Sequence, residues 1–236
     1  MNFIITGSTG IAAATAALAQ TRGNRVFTIG LDESADLRVD LRNEADVDRS
    51  IALAWDAMGS VDGLFHVAGV SGRRYGDGPL HECTLDGFEA TFQSNCVTAF
   101  LTNRALIRRW LAVSRGGSIV NIGSVLAESP EPTFFSTYAY ASSKGAIVAM
   151  TRAAAAFYAP HGIRLNVVAP ALVKTPMSER AQANTEIMDF VRRKQPLSLG
   201  ILDAADVATA ALFLLSEDSR HITGQVLTVD AGWSLS

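Results

Sequence analysis

Tyr140 and Lys144 stand four residues apart in YASSKGAIVAM, and Ser124 lies sixteen residues before Tyr140 at the end of the apolar run SIVNIGS. Residues i and i+4 share one face of a helix, so the phenol and the ammonium can address the same point. A free phenol has a pKa near ~10, and a cation held beside it lowers that pKa and eases proton transfer at neutral pH. With a serine hydroxyl to hold a substrate oxygen, the three residues fit acid/base chemistry on an alcohol or a ketone. The same spacing also occurs in ordinary solvated pairs, so the rest of the chain must decide.

A glycine-containing turn, TGSTGIAA, follows the first apolar run of the chain. Glycine permits tight backbone turns, and the first turn of a helix offers free N–H groups to a pyrophosphate. An ordinary strand–turn–helix remains the alternative because a third glycine is missing, but the position at the first strand–helix junction favours a dinucleotide site. The candidate phosphate-binding residues are Gly7, Ser8, Thr9, Gly10 and Ile11.

The end of the second apolar run bears on the choice of dinucleotide. Gly30 stands where an acidic residue is expected, and Asp32 follows two positions later. Asp32 could accept the ribose hydroxyl hydrogens and repel a 2′-phosphate, and no Arg or Lys follows the run immediately. The sequence therefore favours NAD, with NADP as the alternative, although Asp32 also suits a plain turn. Asp40 and Leu41, after the third run, are candidates to flank the adenine ring.

Short apolar runs alternate with helical patterns from one end of the chain to the other. Runs of Val and Ile without polar alternation are typical of strands covered on both faces, and strand–helix alternation implies right-handed crossovers. We therefore predict an α/β fold, a Rossmann-like doubly wound parallel sheet flanked by helices on both faces, as a single domain over residues 1–236. The predicted strands are Phe3–Thr6, Arg25–Ile29, Leu37–Asp40, Gly63–Val67, Ser118–Ile122, Arg164–Val168 and Gln225–Val229. The predicted helices are Ala12–Arg22, Glu44–Met58, Leu85–Val113, Tyr140–Tyr158 and Ala204–Leu215.

Composition narrows the class of partner. The 236 residues carry a net charge of −3, and their Lys and Arg residues are scattered, which excludes a basic footprint for nucleic acid. No apolar run suggests a membrane span, and the opening Asn2-Phe3-Ile4-Ile5 is typical of a buried strand rather than a secretory signal. Cys83 and Cys96 have no metal-ligand company and are expected to stay reduced. These features favour a cytoplasmic protein with a small-molecule substrate, and the irregular segments Val70–Glu82, Val125–Thr137 and Ser178–Asn184 are placed to line its pocket.

Taken together, these pieces resemble a short-chain dehydrogenase/reductase of the single-domain type over essentially the whole chain. Each match is weak alone, but their order along the chain is specific. The residues that carry the resemblance are Thr6-Gly7 and Gly10 of the loop, Ala68-Gly69 in HVAG, Asn95, Ser124, Tyr140 with Lys144, the segment NVVAPALVKTPM at 166–177, and the ending ITGQVLTVDAGW.

The resemblance implies an NAD(P)-dependent oxidoreductase that interconverts a secondary alcohol and a ketone, with Tyr140 as general acid/base. It implies that Lys144 binds the nicotinamide ribose and lowers the pKa of Tyr140. Ser124 would orient the substrate oxygen, and Asn95 would support a water-linked proton relay. The implied cofactor contacts also include Ala68, Gly69, Pro170, Val173 and Thr175, the last two at the nicotinamide carboxamide.

Four departures from the family pattern are visible. The glycine loop is one residue short, and Ala12 or Ala13 replaces its last glycine, so a methyl group is expected to crowd the helix–strand packing or loosen pyrophosphate binding. His66-Val67 replace two asparagines before Ala68-Gly69, and His66 is expected to be a hydrogen-bonded core residue. Ala171 follows Pro170 where glycine is usual. The Ser124–Tyr140 interval is long, which predicts a loop that bulges over the substrate.

Two other functions stay open at this point. A dinucleotide-sensing or interaction protein would explain the altered loop but not the intact Ser–Tyr–Lys–Asn set. A sugar-nucleotide epimerase or dehydratase would share the loop spacing but is expected to need a further C-terminal domain after Trp233. A homo-oligomer, a tetramer, is predicted because two long helices carry more apolar residues than one sheet face needs. Those residues are Phe88, Phe92, Phe100, Leu101, Leu106, Ile107, Ile147, Val148, Met150 and Phe157.

Overall fold

Seven parallel strands form one sheet at the centre of the computed structural model, which describes residues 1–236. The strand order is β3-β2-β1-β4-β5-β6-β7, so successive strands are added on one side of β1 up to β3 and on its other side from β4 onwards. In open α/β sheets, ligands bind beyond the carboxyl ends of the strands at such a reversal. The strands are Asn2–Thr6 (β1), Arg25–Gly30 (β2), Leu37–Arg38 (β3), Gly63–His66 (β4), Gly117–Ile122 (β5), Ile163–Pro170 (β6) and Val226–Val229 (β7).

Helices cover both faces of the sheet, which explains why its strands are apolar without alternation. Successive residues of a strand point to opposite faces. Accordingly, Ile4 packs in a core with α2 and α4, whereas Phe3 and Ile5 pack in a second core with α1 and α8. The helices are Gly10–Thr21 (α1), Glu44–Met58 (α2), Leu85–Phe92 (α3), Thr98–Ala112 (α4), Tyr138–Tyr158 (α5), Glu179–Gln182 (α6), Thr185–Lys194 (α7) and Ala204–Leu215 (α8).

The predicted elements are all present, with three differences. The strand predicted over Leu37–Asp40 is paired only at Leu37–Arg38, on the outer edge of the sheet. The helix predicted over Leu85–Val113 is two α-helices joined by a π-helical turn at Gln93–Val97. The segment Ser178–Asn184, predicted to be irregular, contains the short helix α6.

Helix α7 was missed because its apolar face is short. Asn184 caps it by accepting a hydrogen bond from the Ile187 amide, and only Ile187 and Val191 are buried, at i and i+4. These two residues pack against Trp233 in a small third core beside the sheet. The helix therefore depends on the chain terminus folding back onto it, which a local pattern does not reveal.

Two further findings concern the helices and the cysteines. None of the eight α-helices combines the length and the apolar character needed to cross a membrane. Cys83 and Cys96 are both free thiols and do not pair with each other.

Candidate active site

A cavity of about 610 Å³ opens at the carboxyl ends of the strands. Its walls come from the loops after β1, β2, β3, β4, β5 and β6, together with the start of α5. Of the residues singled out in the sequence, Ser124, Tyr140 and Lys144 lie in the wall. The remaining lining residues from that set are Gly7, Thr9, Gly10, Ile11, Asp32, Asp40, Leu41, Ala68, Gly69, Pro170, Val173 and Thr175. Ser8 and Asn95 do not line the cavity but contact residues that do.

The glycine loop leads from β1 into α1 with two residues in left-handed backbone conformations. Gly7 has φ +91° and Gly10 has φ +53°, a region that favours glycine. A Cβ atom on Gly10 would lie 2.9 Å from Cγ2 of Thr175, so this part of the loop needs a residue without a side chain. Thr9 makes no side-chain cap at the start of α1, and no acidic residue lies in the first turn. The loop thus presents free N–H groups and the positive end of the helix dipole to the cavity.

The shortened loop packs without the expected crowding. Ala12, which replaces the last glycine, is buried in the core under α1, and its Cβ lies 3.3 Å from the point where a Gly7 side chain would begin. Gly30 faces the same turn, because a Cβ there would lie 3.3 Å from Cα of Gly7. The loop therefore packs closely against the end of β2 and leaves little room for a side chain there, which explains why glycine, and not an acid, ends that strand.

The acidic residues after β2 and β3 occupy different settings. Asp32 is exposed and accepts a hydrogen bond of 3.1 Å from the Ser8 hydroxyl, which ties it to the glycine loop. Asp40 is held by the Arg42 guanidinium at 2.6–3.0 Å, and this hydrogen bond lowers the pKa of Asp40 below its usual range. Arg42 also lines the cavity. No base follows β2 directly in the sequence, but folding brings Arg42 to this side of the cavity.

The buried ammonium of Lys144 is held in place by β5. Its Nζ donates to the carbonyl oxygen of Ile122 at 3.0 Å and lies 5.6 Å from the ring centroid of Tyr140. Burial lowers the pKa of Lys144 to about 8, with partial opposition from Cys96. The amine therefore remains mostly protonated at neutral pH and is oriented towards the cavity.

Burial raises the pKa of the Tyr140 phenol above its usual value, and a hydrogen bond with Ser124 opposes that rise. The sequence predicted a pKa lowered by Lys144. In this structure the desolvation of the phenol outweighs the hydrogen bond with Ser124, so the phenol holds its proton. Tyr138, the other tyrosine of the segment, is exposed and lies outside the cavity wall. Only Tyr140 joins Ser124 and Lys144.

Asn95 lies in the π-helical turn, fully buried behind the cavity. Its side-chain oxygen accepts from the Val70 amide at 2.7 Å, and its amide nitrogen donates to the Val70 carbonyl at 3.1 Å and to the Ser143 hydroxyl at 3.0 Å. The side chain thus joins the loop after β4 to helix α5. Such π turns occur frequently at functional sites because the extra residue reshapes the helix locally.

His66 is a hydrogen-bonded core histidine, as the sequence predicted. It is fully buried, with Nδ1 at 3.1 Å from the Thr6 hydroxyl and 3.0 Å from the Thr102 hydroxyl. Nε2 lies 3.3 Å from the Thr98 hydroxyl. Burial, followed by the charge of Lys144, lowers the pKa of His66 to about 3. The ring therefore stays neutral and links β1, β4 and α4.

The segment after β6 forms another wall of the cavity. Val173 pairs with Leu202 in an isolated bridge, and its carbonyl accepts a hydrogen bond of 2.6 Å from the Ser178 hydroxyl. Ser178 also accepts from the Thr175 amide at 3.1 Å. These contacts hold Thr175 against Gly10. The close approach and the free helix terminus make a narrow polar cradle that fits a pyrophosphate.

Several residues that shape the cavity escaped the sequence reading. Asp77, which is buried, accepts from the Ala139 and Tyr140 amides at 2.9 Å and so caps the helix that carries Tyr140. Arg73 and Arg180 line the cavity from the loops after β4 and β6. Arg73 and Arg74 are adjacent in the sequence, but such a pair is typical of a solvated surface, and nothing local shows which way a loop folds.

Comparison with known proteins finds relatives of this chain in both sequence and fold. Residues 5–234 match the profile of a family described as enoyl-(acyl carrier protein) reductase. The chain is 35% identical to momilactone A synthase from Oryza sativa subsp. japonica, over 97% of this chain and 88% of that one. It is 33% identical to 2-(R)-hydroxypropyl-CoM dehydrogenase from Xanthobacter autotrophicus, over 98% and 97% of the two chains. The structure of a short-chain type dehydrogenase/reductase from Mycobacterium ulcerans superposes with a TM-score of 0.89 at 25% identity, covering 99% of this chain and 90% of that chain.

Proposed function

The chain belongs to the short-chain dehydrogenase/reductase family, and we propose that Tyr140 is its general acid/base, supported by Ser124, Lys144 and Asn95. It is an NAD(P)-dependent oxidoreductase that interconverts a secondary alcohol and a ketone. The observation that supports the assignment of roles is the meeting of Ser124, Tyr140 and Lys144 in one wall of the cavity. No other tyrosine in that wall stands beside both a serine and a lysine.

Each residue has a distinct task in this proposal. When a ketone is reduced, the Ser124 hydroxyl donates a hydrogen bond to the carbonyl oxygen, and Tyr140 donates its proton to that oxygen as the alcohol forms. In the reverse direction the phenolate accepts the proton. Lys144 stabilises the phenolate, because its positively charged ammonium lies near the ring on which the negative charge develops. Asn95 joins the loop after β4 to helix α5, which carries Tyr140 and Lys144.

The cofactor residues follow the length of the cavity. Gly7, Thr9, Gly10 and Ile11 would hold the pyrophosphate, with Ser8 acting through Asp32. When bound, the dinucleotide supplies or accepts the hydride. Lys144 would donate to the nicotinamide ribose. The other proposed contacts are Asp40 and Leu41 at the adenine, Ala68, Gly69 and Pro170 along the cavity, and Val173 and Thr175 at the carboxamide.

NAD is proposed over NADP because Asp32 and Asp40 flank the end of the cavity that would take the adenine ribose. Arg42, which also lines the cavity, is already paired with Asp40. A thermal-shift comparison of NAD, NADH, NADP and NADPH tests this proposal. We expect NAD(H) to stabilise the protein more, and Asp32→Ala to narrow the difference. A larger shift with NADPH would contradict it.

The experiment for the catalytic assignment is single-turnover hydride transfer with a panel of small ketones. Tyr140→Phe removes the proton donor and little volume, so we expect turnover to fall by several orders of magnitude while the Kd for NADH stays within about threefold. Tyr138→Phe, at the exposed tyrosine two residues earlier, is the matched control. A loss below tenfold in Tyr140→Phe would remove Tyr140 from its role.

A homotetramer, a cytoplasmic location and a single functional domain complete the proposal. Of the ten apolar residues cited for oligomerisation, Leu101, Leu106, Ile107, Ile147 and Val148 are buried within the chain itself. Phe88, Phe100 and Phe157 remain exposed on α3, α4 and α5, at 38%, 45% and 69%. Association would cover these rings. Light scattering that gives the 25.1 kDa of one chain would refute the oligomer.

A further inference from the structure

Two arginines from different loops converge on one backbone carbonyl beside the cavity. Arg73, in the loop after β4, and Arg180, in α6, each donate to the carbonyl oxygen of Phe134 at 2.9 Å. Both side chains line the cavity that contains Ser124 and Tyr140. Phe134 lies in the long loop before α5, so the three segments predicted to surround a substrate meet at this point.

The two guanidinium groups are far from saturated. Each has five N–H donors, and each uses one of them within the protein. Neither forms an ion pair with a carboxylate, although seven other arginines of the chain do. The buried acids of the same loops are committed elsewhere: Asp77 caps α5, and Glu131 accepts from the backbone amides of residues 133 and 134.

The charge of the cavity is therefore uneven. Its acidic lining residues are Asp32 and Asp40, and both belong to the loops after β2 and β3. The loops after β4 and β6 contribute Arg73, Arg74 and Arg180 and no carboxylate. Burial, and then the charge of Arg180, lower the pKa of Arg73, and the charge of Asp77 opposes them. The two arginine charges repel each other. An anion between them would relieve that repulsion.

We infer that Arg73 and Arg180 form a subsite for an anionic group, a carboxylate or a similar oxyanion, on the ketone or alcohol substrate. The inference rests on the proposed function, since it places the reacting oxygen at Ser124 and Tyr140 in the same cavity. Guanidinium groups bind oxyanions through paired hydrogen bonds and keep their charge at all working pH values. The contacts with Phe134 hold both groups in position before the substrate arrives, which reduces the entropic cost of binding.

The test uses pairs of ketones that differ only in charge. Methyl-ketone carboxylates with one to five methylene groups between the carbonyl and the acid are each compared with their methyl esters. We expect kcat/KM of the wild type to favour at least one acid over its ester by tenfold or more. In Arg73→Gln and Arg180→Gln, the loss for that acid should exceed the loss for its ester by about tenfold per arginine, the value of one charge-assisted hydrogen bond. Arg193→Gln, an exposed and unpaired arginine on α7, is the control and should change neither.

The outcomes separate this inference from the proposed function. If the esters react as well as the acids, or if both lose equally in the variants, the arginines only tie the loops together and the inference is wrong. A weaker Kd for NADH with no change in acid preference would assign them to the cofactor and also overturn it. If no ketone reacts, the proposed function fails, and calorimetry with levulinate and methyl levulinate still decides. Arginine-dependent binding of the acid alone supports the subsite, and its absence overturns it.

Discussion

Replacing Asp77 with alanine should both destabilise the protein and slow turnover, because this residue caps the helix that carries Tyr140. The helix begins at Tyr138, and its N-cap residue, Thr137, makes no side-chain cap. Instead, the two Asp77 carboxylate oxygens accept from the Ala139 and Tyr140 amides, both at 2.9 Å. An acid sixty residues away thus does the work of a local cap and adds a negative charge at the positive end of the helix dipole.

The size of the effect follows from these contacts. A hydrogen bond to a charged group contributes about 1.5–3 kcal/mol, and the helix dipole adds about 0.3–1 kcal/mol. Water can reach part of the exposed loop after truncation and recover some of this, so we expect the free energy of unfolding to fall by about 3 kcal/mol. For a chain of this length that corresponds to a Tm lower by about 6–12 °C. The first helical turn would also loosen, so the phenol of Tyr140 would lose its position and kcat would fall more than affinity for NADH.

Urea unfolding followed by circular dichroism, at one fixed protein concentration, measures the first effect. Asp86→Ala, at an exposed acid in the first turn of α3, removes the same charge without a tertiary contact and should lower the free energy of unfolding by less than about 1 kcal/mol, the helix-dipole contribution alone. Asp77→Asn keeps one acceptor oxygen and should fall between wild type and alanine. If Asp77→Ala unfolds like Asp86→Ala and keeps its kcat, the capping argument is refuted.

Two further predictions follow from single contacts. Gly10→Ala should raise the Kd for NAD about tenfold, because the new methyl group would lie 2.9 Å from Thr175 and the backbone has φ +53°. The control is Gly23→Ala, at a glycine outside the cavity with φ +76° and no atom within 4 Å of the new methyl group. It introduces similar backbone strain and should leave the Kd unchanged. His66→Asn should make the protein more resistant to acid. Since burial lowers the pKa of His66 from 6.5 to about 3, the folded state binds fewer protons than the unfolded state between those values, and stability is lost as the pH falls below 6.5. At pH 5 this effect lowers the free energy of unfolding of the wild type by about 2 kcal/mol. Urea unfolding at pH 7 and pH 5 should therefore show a loss of stability that is smaller by that amount in His66→Asn, whereas His161→Asn, at an exposed histidine, should match the wild type. Equal losses in all three proteins would contradict the assignment.

Much of the fold was accessible from local patterns. Strands such as Phe3–Thr6 and Ser118–Ile122 can be predicted from the sequence because both of their faces are apolar, and both faces are apolar because helices cover them on each side. The turn at Gly7 and Gly10 is visible because its backbone angles are ones that glycine tolerates best. Spacing along a helix predicted that Tyr140 and Lys144 would share a face, and the structure has both in one cavity wall.

Other features arise only when distant segments meet. Helix α7 is stabilised because Trp233 folds back onto Ile187 and Val191. The lowered pKa of His66 likewise requires the full burial of its ring between β1 and α4. The pKa of Tyr140 went the opposite way to the sequence prediction, because desolvation depends on everything packed around the phenol and not on the lysine one turn away.

The amino-acid sequence alone thus predicted the alternation of strands and helices, the glycine turn and the residue proposed as acid/base, since each depends on residues within a few positions of one another. The tertiary structure alone decided what surrounds that group: the cap from Asp77 and the convergence of Arg73 and Arg180 on Phe134. These contacts join loops that are far apart in the chain. Hydrogen bonds and charge interactions depend on the distance between atoms in space, and local sequence periodicity does not encode that distance.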